Sequence, residues 1–398
     1  MRSTPNEASL RNLDESSQST ESLNHPREPH PSVGVLGRTP GAGKGSSASA
    51  GPLRILMLAT VFNLSYRVLR CAHASGAEVF VLGNLGARGL RFSRHCRRFV
   101  LSDCVINGER DEALALEINC IARDFRITLV MPGDAPSTRA VIACRDLIEA
   151  ECFPLPSLDR FDCLNNKWMF ARICENLGIR YPATRLLPDA ATLAREITTG
   201  GLEYPLVAKP LSRSGNGGVL ILDGVDSENR LNTINYKPVL VQTLIPGDDI
   251  GASVYARAGK IEAYVAHWLR RKVYHTFHDE RIYSDISKII ETLGVDGVYN
   301  FDMILSPDGS IWHLECNPRF YFKITLSMIA GINFVELGLP GATSNESKTI
   351  PDGVEVRFPE AVLASFLSDF CTRRDFAMAA YICSDPLPYL MENLNLTV

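Results

Sequence analysis

Apolar residues begin to recur at Leu53, and their period changes along the chain. Continuous apolar runs at Arg54 to Ala59, Glu78 to Gly83 and Ile127 to Pro132 predict buried strands. Between and after them, Ser65 to Ala74, Asp111 to Arg123 and Thr138 to Ile148 carry apolar residues at helical spacing, and Gly76 is placed to stop the first of these helices. Strands alternating with helices predict a small parallel α/β sheet. No G-x-G-x-x-G follows the first strand, so nicotinamide or flavin binding is unsupported. Gly133-Asp134, just past a strand, form either an ordinary strand-end turn or a ligand position of an open sheet.

The second half reads differently. Asn165 or Asn166 is placed to cap a helix that starts near Lys167, buries Trp168, Phe170, Ala171, Cys174 and Leu177, and stops at Gly178. A strand at Leu206 to Ala208 delivers Lys209, a Ser/Gly loop spans Ser212 to Gly218, and a strand returns at Val219 to Leu222. Such glycines either let backbone N–H groups wrap phosphate oxygens beside the lysine charge, or form a mobile hairpin tip. Val239 to Gln242 is a strand running into Thr243-Leu244-Ile245; Pro246-Gly247 breaks it, and another strand covers Ile250 to Ala256. A strand end followed by an extended linker makes an adenine slot or an interdomain hinge. In the first case Gln242 meets the base and Asp249 the ribose. Lys260 to Tyr274 predicts a strand pair carrying the basic run Arg270-Arg271-Lys272, His275 to Tyr283 a loop, and Ser284 to Leu293 a helix stopped by Gly294. A basic run either lies on a solvated face or neutralises transferred charge. Ile324 to Leu337 is helical with a break near Gly331, Ser344 to Gly353 is polar, and Ala361 to Phe370 with Asp375 to Tyr381 is helical until Pro386 and Pro388 interrupt.

The chemistry concentrates at Tyr299 to Arg319. Phe301 to Leu305 and Ile311 to Leu314 read as strands around Pro307-Asp308-Gly309. A two-residue turn at Asp308-Gly309 sets Asp302 opposite Glu315, with Asn317 on the same face. A three-residue turn with left-handed Gly309 sets the two acids on opposite faces. In the first register, two carboxylates and an amide oxygen converge, a hard-oxygen set suited to Mg²⁺ rather than to zinc or copper.

Composition narrows the classes. The chain has 398 residues, 45% hydrophobic and 22% charged, enough for two or three packed domains. A net charge of −4 argues against a generic nucleic-acid binder. The eleven cysteines are scattered without C-x-x-C, which predicts isolated thiols in a reducing compartment. No apolar run is long enough to span a bilayer and the N-terminus lacks a signal-peptide core, so a cytoplasmic protein is expected. Residues 1–52, rich in Ser, Pro, Gly and charge, read as a disordered leader. Within it, Gly41 to Ser46 miss the phosphate-loop spacing: Arg38 stands where the first Gly belongs, and Gly45 follows Lys44.

In this order the pieces resemble the ATP-grasp superfamily, specifically its carboxylate–amine ligases with a preceding α/β domain, over about residues 53–340. The resemblance implies an α/β fold, α+β in the grasp region. Domains are expected at 53–160 (pre-ATP-grasp) and 161–345 (ATP-grasp, small lobe about 180–245, large lobe about 246–345), with a helical extension at 346–398. It implies that Lys167 and Lys209 contact ATP phosphates and that Ser214, Gly215, Asn216, Gly217, Gly218 and Val219 close over them. Gln242, Thr243, Leu244 and Ile245 would hold adenine, and Asp249 the ribose, although many relatives carry Glu at positions 242 and 249. Asp302, Glu315 and Asn317 would bind two Mg²⁺ ions, with Mn²⁺ as a substitute, and Arg319 and Lys209 would act in catalysis. The implied reaction joins a carboxylate to an amine through an acyl phosphate and releases ADP. Its partners are small-molecule acid and amine substrates, with no nucleic acid or membrane and with a homodimer as the family habit. The rival readings are a carboxylase or phosphoryl-transfer enzyme of the same fold, and a non-catalytic nucleotide-binding module. Acceptor specificity is expected in the α/β domain, the 270–283 region and Phe320, Tyr321 and Phe322, which could equally be core.

Overall fold

A computed structural model describes residues 52–212, 217–224, 227–342, 347–366 and 371–393. The expected leader, Pro52 apart, lies outside these residues, as do Ser214, Gly215 and Asn216 of the glycine loop. The first part of the described chain runs β1 (Arg54–Ala59), α1 (Phe62–Ala74), β2 (Glu78–Gly83), β3 (Cys96–Leu101), α2 (Glu112–Phe125), β4 (Leu129–Pro132), α3 (Ala135–Cys144) and β5 (Glu151–Cys152). The strands form one parallel sheet in the order β3-β2-β1-β4-β5. β1, β2 and β4 are apolar runs because both faces of a parallel sheet are covered. β3 escapes the hydrophobic pattern: Cys96-Arg97-Arg98-Phe99 lies at a sheet edge with mostly exposed or half-buried residues.

Two helices follow, α4 (Leu158–Asn165) and α5 (Lys167–Asn176). The Asn166 side chain accepts from the amides of Trp168 and Met169, capping α5 at the expected place. A small four-stranded antiparallel sheet comes next. Its elements are β6 (Thr184–Leu187), α6 (Ala190–Thr198), β7 (Leu206–Lys209), β8 (Leu220–Leu222), α7 (Ser227–Leu231) and β9 (Val239–Thr243), with strand order β6-β9-β7-β8. A larger, seven-stranded sheet is built from β10 (Asp248–Arg257), β11 (Lys260–Arg270), β12 (Val273–Phe277), β13 (Gly297–Leu305), β14 (Ile311–Asn317), β15 (Lys348–Thr349) and β16 (Glu355–Arg357). Helix α8 (Glu280–Leu293) buries Ile282, Ile286, Ile289 and Ile290 against one face of it. It is stopped by left-handed Gly294, as expected, but starts four residues before the expected Ser284, because Asp279 caps it. The basic run forms the tight β11–β12 turn, with Arg271 and Lys272 both at positive φ.

Helix α9 (Ile324–Ala330) ends at Gly331, and the chain closes with α10 (Pro359–Phe366), α11 (Arg373–Ser384) and α12 (Pro386–Asn393). Pro386 opens the last helix instead of interrupting one, since a first-turn residue needs no intrahelical N–H bond. These helices pack on the α/β part. Buried Arg70 of α1 donates to Tyr381 O and to Ser384 Oγ, and Asp385 accepts from Ser93 Oγ at 2.5 Å. No described helix is long and apolar enough to cross a membrane.

Candidate functional site

The β13–β14 hairpin has the three-residue turn rather than the two-residue one, yet contains both pairing registers. Its tip is the three-residue loop: Ser306 N donates to Ser310 O at 2.9 Å and Gly309 has φ +78°. Near the tip Leu305 pairs with Ile311 and Met303 with His313, the register that would separate the two acids. A β-bulge then intervenes, with Leu314 as the extra residue, and Asp302 pairs with Glu315. One inserted residue flips the remaining side chains of β14 to the opposite face. Asp302, Glu315 and Asn317 therefore share a face after all, while Phe301 and Cys316 turn into the core.

Around this row a buried polar network closes. Asn317 Nδ2 donates to Asp302 Oδ2 at 2.9 Å and to Glu315 Oε1 at 3.4 Å, while its Oδ1 accepts from Arg319 at 2.7 Å. Lys167, at the first turn of α5, meets Glu315 Oε2 at 2.9 Å. Asn300 was missed from sequence because the strand starts earlier than Phe301. Two residues before Asp302 and on its face, it donates to Asp302 Oδ1 at 3.0 Å and accepts from Ser253 at 3.0 Å. Burial pushes the Asp302 carboxyl up, and the neighbouring Glu315 charge adds to that. Burial also acts to raise Glu315, but Lys167 and Lys209 outweigh it and hold the group below the usual range. Lys209 is lowered to about 8, chiefly by burial, against the pull of Glu315. Arg319, 7% exposed with Nε unpartnered, is lowered by burial.

Two clefts meet at Asp302 and Glu315. The first, about 620 Å³, lies between the small sheet and the large one, and Lys209, Val219, Gln242, Thr243, Leu244, Ile245 and Asp249 all line it. Gln242 is almost wholly buried and donates to Thr184 at 2.9 Å. The amides of Thr243 and Leu244 are already committed to Ala183 O and Pro205 O, so neither reads a base edge in this arrangement. Gly217 and Gly218 follow β7, with Gly218 at φ +84°. The basic run stands apart from both clefts' described lining: Arg270 pairs with Asp248 at 2.6 Å.

The second cleft, about 720 Å³, runs from the acids and Arg319 to the start of α1 and of α3. Lys323, at the start of α9, lines both clefts, and burial lowers it against the opposing charges of Asp302 and Asp249. No period or motif marks it in the sequence, because it follows the strand in a turn. Asp134 lines the second cleft, yet its carboxylate is used structurally. Oδ2 accepts from Thr60 N at 2.5 Å, Val61 N at 3.0 Å and Ser65 Oγ at 3.0 Å, and Oδ1 caps α3 through Ser137 N. Of the three aromatics after Arg319, Phe320 packs on Phe153 in the core, whereas Tyr321 and Phe322 line the cleft. Among the described residues no three His, Cys, Asp or Glu side chains cluster for a metal. Two carboxylates nonetheless suit Mg²⁺ when substrate phosphates and water supply the other ligands.

A family model described as ATP-grasp in the biosynthetic pathway with Ter operon matches residues 235–360, which include the hairpin. The multifunctional protein URA2 of Saccharomyces cerevisiae is 25% identical over 235 residues, 51% of this chain but only 10% of its own length. Among solved structures, the biotin carboxylase domain of Hydrogenobacter thermophilus 2-oxoglutarate carboxylase is similar with TM-score 0.57 at 15% identity, covering 75% of this chain and 72% of that one. L-amino acid ligase from Bacillus licheniformis gives 0.55 at 18%, covering 74% and 75%. N5-carboxyaminoimidazole synthetase from Staphylococcus aureus gives 0.55 at 12%, covering 75% and 79%. The mixed α/β architecture is the expected one, and the chain has the ATP-grasp fold with a small parallel α/β domain ahead of it.

Proposed function

We propose that the protein is an ADP-forming carboxylate–amine ligase. The observation that carries this reading is the junction itself: Asp302 and Glu315 form the shared wall of two clefts, with Lys209 and the adenine-slot residues on one side and Arg319 on the other. ATP fits the first cleft. Lys167 and Lys209 would meet its phosphates, Gly217, Gly218 and Val219 with the rest of their loop would cover them, and Leu244, Ile245 and Gln242 would flank the base, with Asp249 at the ribose. Asp302, Glu315 and Asn317 would hold Mg²⁺, in the two-ion arrangement of the resemblance, which supplies charge neutralisation on the phosphate oxygens when bound. Asn317 now turns its N–H₂ to both acids, so presenting its oxygen to an ion requires the amide to turn and Arg319 to release it.

The substrate acid enters the second cleft. One carboxylate oxygen attacks the γ-phosphorus, the bond to the ADP oxygen breaks, and an acyl phosphate forms. Arg319 and Lys323 offset charge on the moving group. The amine then attacks the acyl carbon, phosphate leaves and the amine loses a proton. Closure of Gly217, Gly218 and Val219 over the phosphates would keep water from the intermediate. The likeness to an L-amino acid ligase and to an N5-carboxyaminoimidazole synthetase supports this outcome, and that to biotin carboxylase domains supports a carboxylase as the second reading. The carboxylase domain was solved as a dimer, so a homodimer belongs to the same proposal. The deciding assay is ADP production by the full chain across pooled acids and amines. Release only when acid and amine are both present supports the ligase; bicarbonate-dependent release without an amine supports the carboxylase; tight ATP binding without turnover refutes both.

A further inference from the structure

The second cleft is chemically lopsided. Among its described lining residues, Asp134 apart, the charged side chains are Asp302, Glu315, Arg319 and Lys323, all at the junction end. Val61, Phe62, Leu64, Pro136 and Phe322 supply apolar surface to the rest of the lining, with Asn63 among them. Asp134 stands there too, but both of its carboxylate oxygens already accept from the backbone and Ser65, so it is not free to take up a substrate cation. Large apolar side chains are normally covered, yet Val61 and Phe322 are each 46% exposed at this wall.

Phe322 is also held rather than free. Arg67 of α1 donates to the Phe322 carbonyl and lies 5.4 Å from the centre of its ring. Arg67 is itself fixed by Glu392 of α12 at 2.6 Å. Phe62, which lines the same cleft, stacks on buried Tyr66 with ring centres 5.5 Å apart. Two aromatic side chains, each packed against a neighbour, thus line a cleft whose charged residues, Asp134 apart and among the described residues, are Asp302, Glu315, Arg319 and Lys323.

We propose that the second cleft selects a carboxylic acid with an apolar, planar body, its carboxylate at Arg319 and Lys323 and its ring against the aromatic lining of Phe62 and Phe322. The proposal rests on the ligase reading of the junction and adds the substrate class to it. A second carboxylate or an ammonium group on the acid would find no unused opposite charge in the rest of the lining among the described residues. An aromatic body gains both burial and ring-on-ring contact there.

The test uses the full chain with Mg²⁺ and a non-hydrolysable ATP analogue. Calorimetric titration compares 3-phenylpropanoate and indole-3-acetate with propanoate and succinate. The aromatic acids are expected to bind about tenfold more tightly or better than propanoate, and succinate no better than propanoate. Phe322→Ala and, separately, Phe62→Ala should cut the aromatic preference several-fold, with nucleotide affinity unchanged as the check on folding. Equal binding of propanoate or succinate, or an unchanged preference in both variants, overturns the proposal. The two readings fail separately. Aromatic acids that bind without supporting ADP release sink the ligase but keep the cleft assignment. ADP release confined to short or dianionic acids does the reverse.

Discussion

Replacing Asp302 with Asn should make the empty protein more stable at neutral pH while removing its response to metal. Burial, with the Glu315 charge second, raises the Asp302 carboxyl from 3.8 to about 6. The native state therefore binds the proton more tightly than the unfolded chain does. Stability from this group is present below about pH 4, falls as pH rises to about 6, and is flat above that. A shift of about two units corresponds to about 3 kcal/mol, of which water in the cleft screens a part, leaving about 2 kcal/mol. Asn removes that penalty but turns an N–H₂ toward either Asn300 or Asn317, losing one hydrogen bond worth about 1 kcal/mol. The net gain at pH 7.5 is about 1 kcal/mol, roughly 1–2 °C in Tm for a chain of this length. Thermal unfolding of both proteins from pH 4 to 8 tests it: the variant should lose at pH 4, cross the wild type and lead above pH 6. Mg²⁺ with ADP should raise Tm only in the wild type. A difference between the two proteins that does not change with pH would refute the electrostatic cause.

Other substitutions probe the remaining parts of the junction. Glu315→Gln should lower acid- and amine-dependent ADP release by about 100-fold or more, and unchanged turnover would refute the metal assignment. Because Lys209 is lowered to about 8 and phosphate favours its charged form, ATP affinity should fall about tenfold per pH unit above 8. Calorimetry from pH 7 to 9.5 should show that slope in the wild type and a flat profile in Lys209→Met; the same slope in both would exclude Lys209. Gly247 has φ +152°, and a Cβ there would lie 2.3 Å from the Leu305 carbonyl oxygen. Gly247→Ala should therefore cost about 2–3 kcal/mol and displace the linker before Asp249, read as a lower Tm together with weaker nucleotide binding.

The side chains that meet at the junction were legible in the sequence because they are carried by local signals. A strand ending in Lys209, an asparagine cap before Lys167 and two acids on a hairpin each follow from short-range pattern. The parallel sheet was legible for the same reason, since its central strands are covered on both faces. Only the tertiary structure decided which face the acids share. The tip of the hairpin has the register that separates Asp302 from Glu315, and the bulge at Leu314 reverses it. A bulge is one unpaired residue with no composition of its own, so no pattern announces it. Asn300, Lys323 and the part of Phe62 in the second cleft were hidden for a related reason. Their roles come from long-range neighbours, α1 and α12 against the loop after β14, and distance along the chain carries no trace of proximity in space.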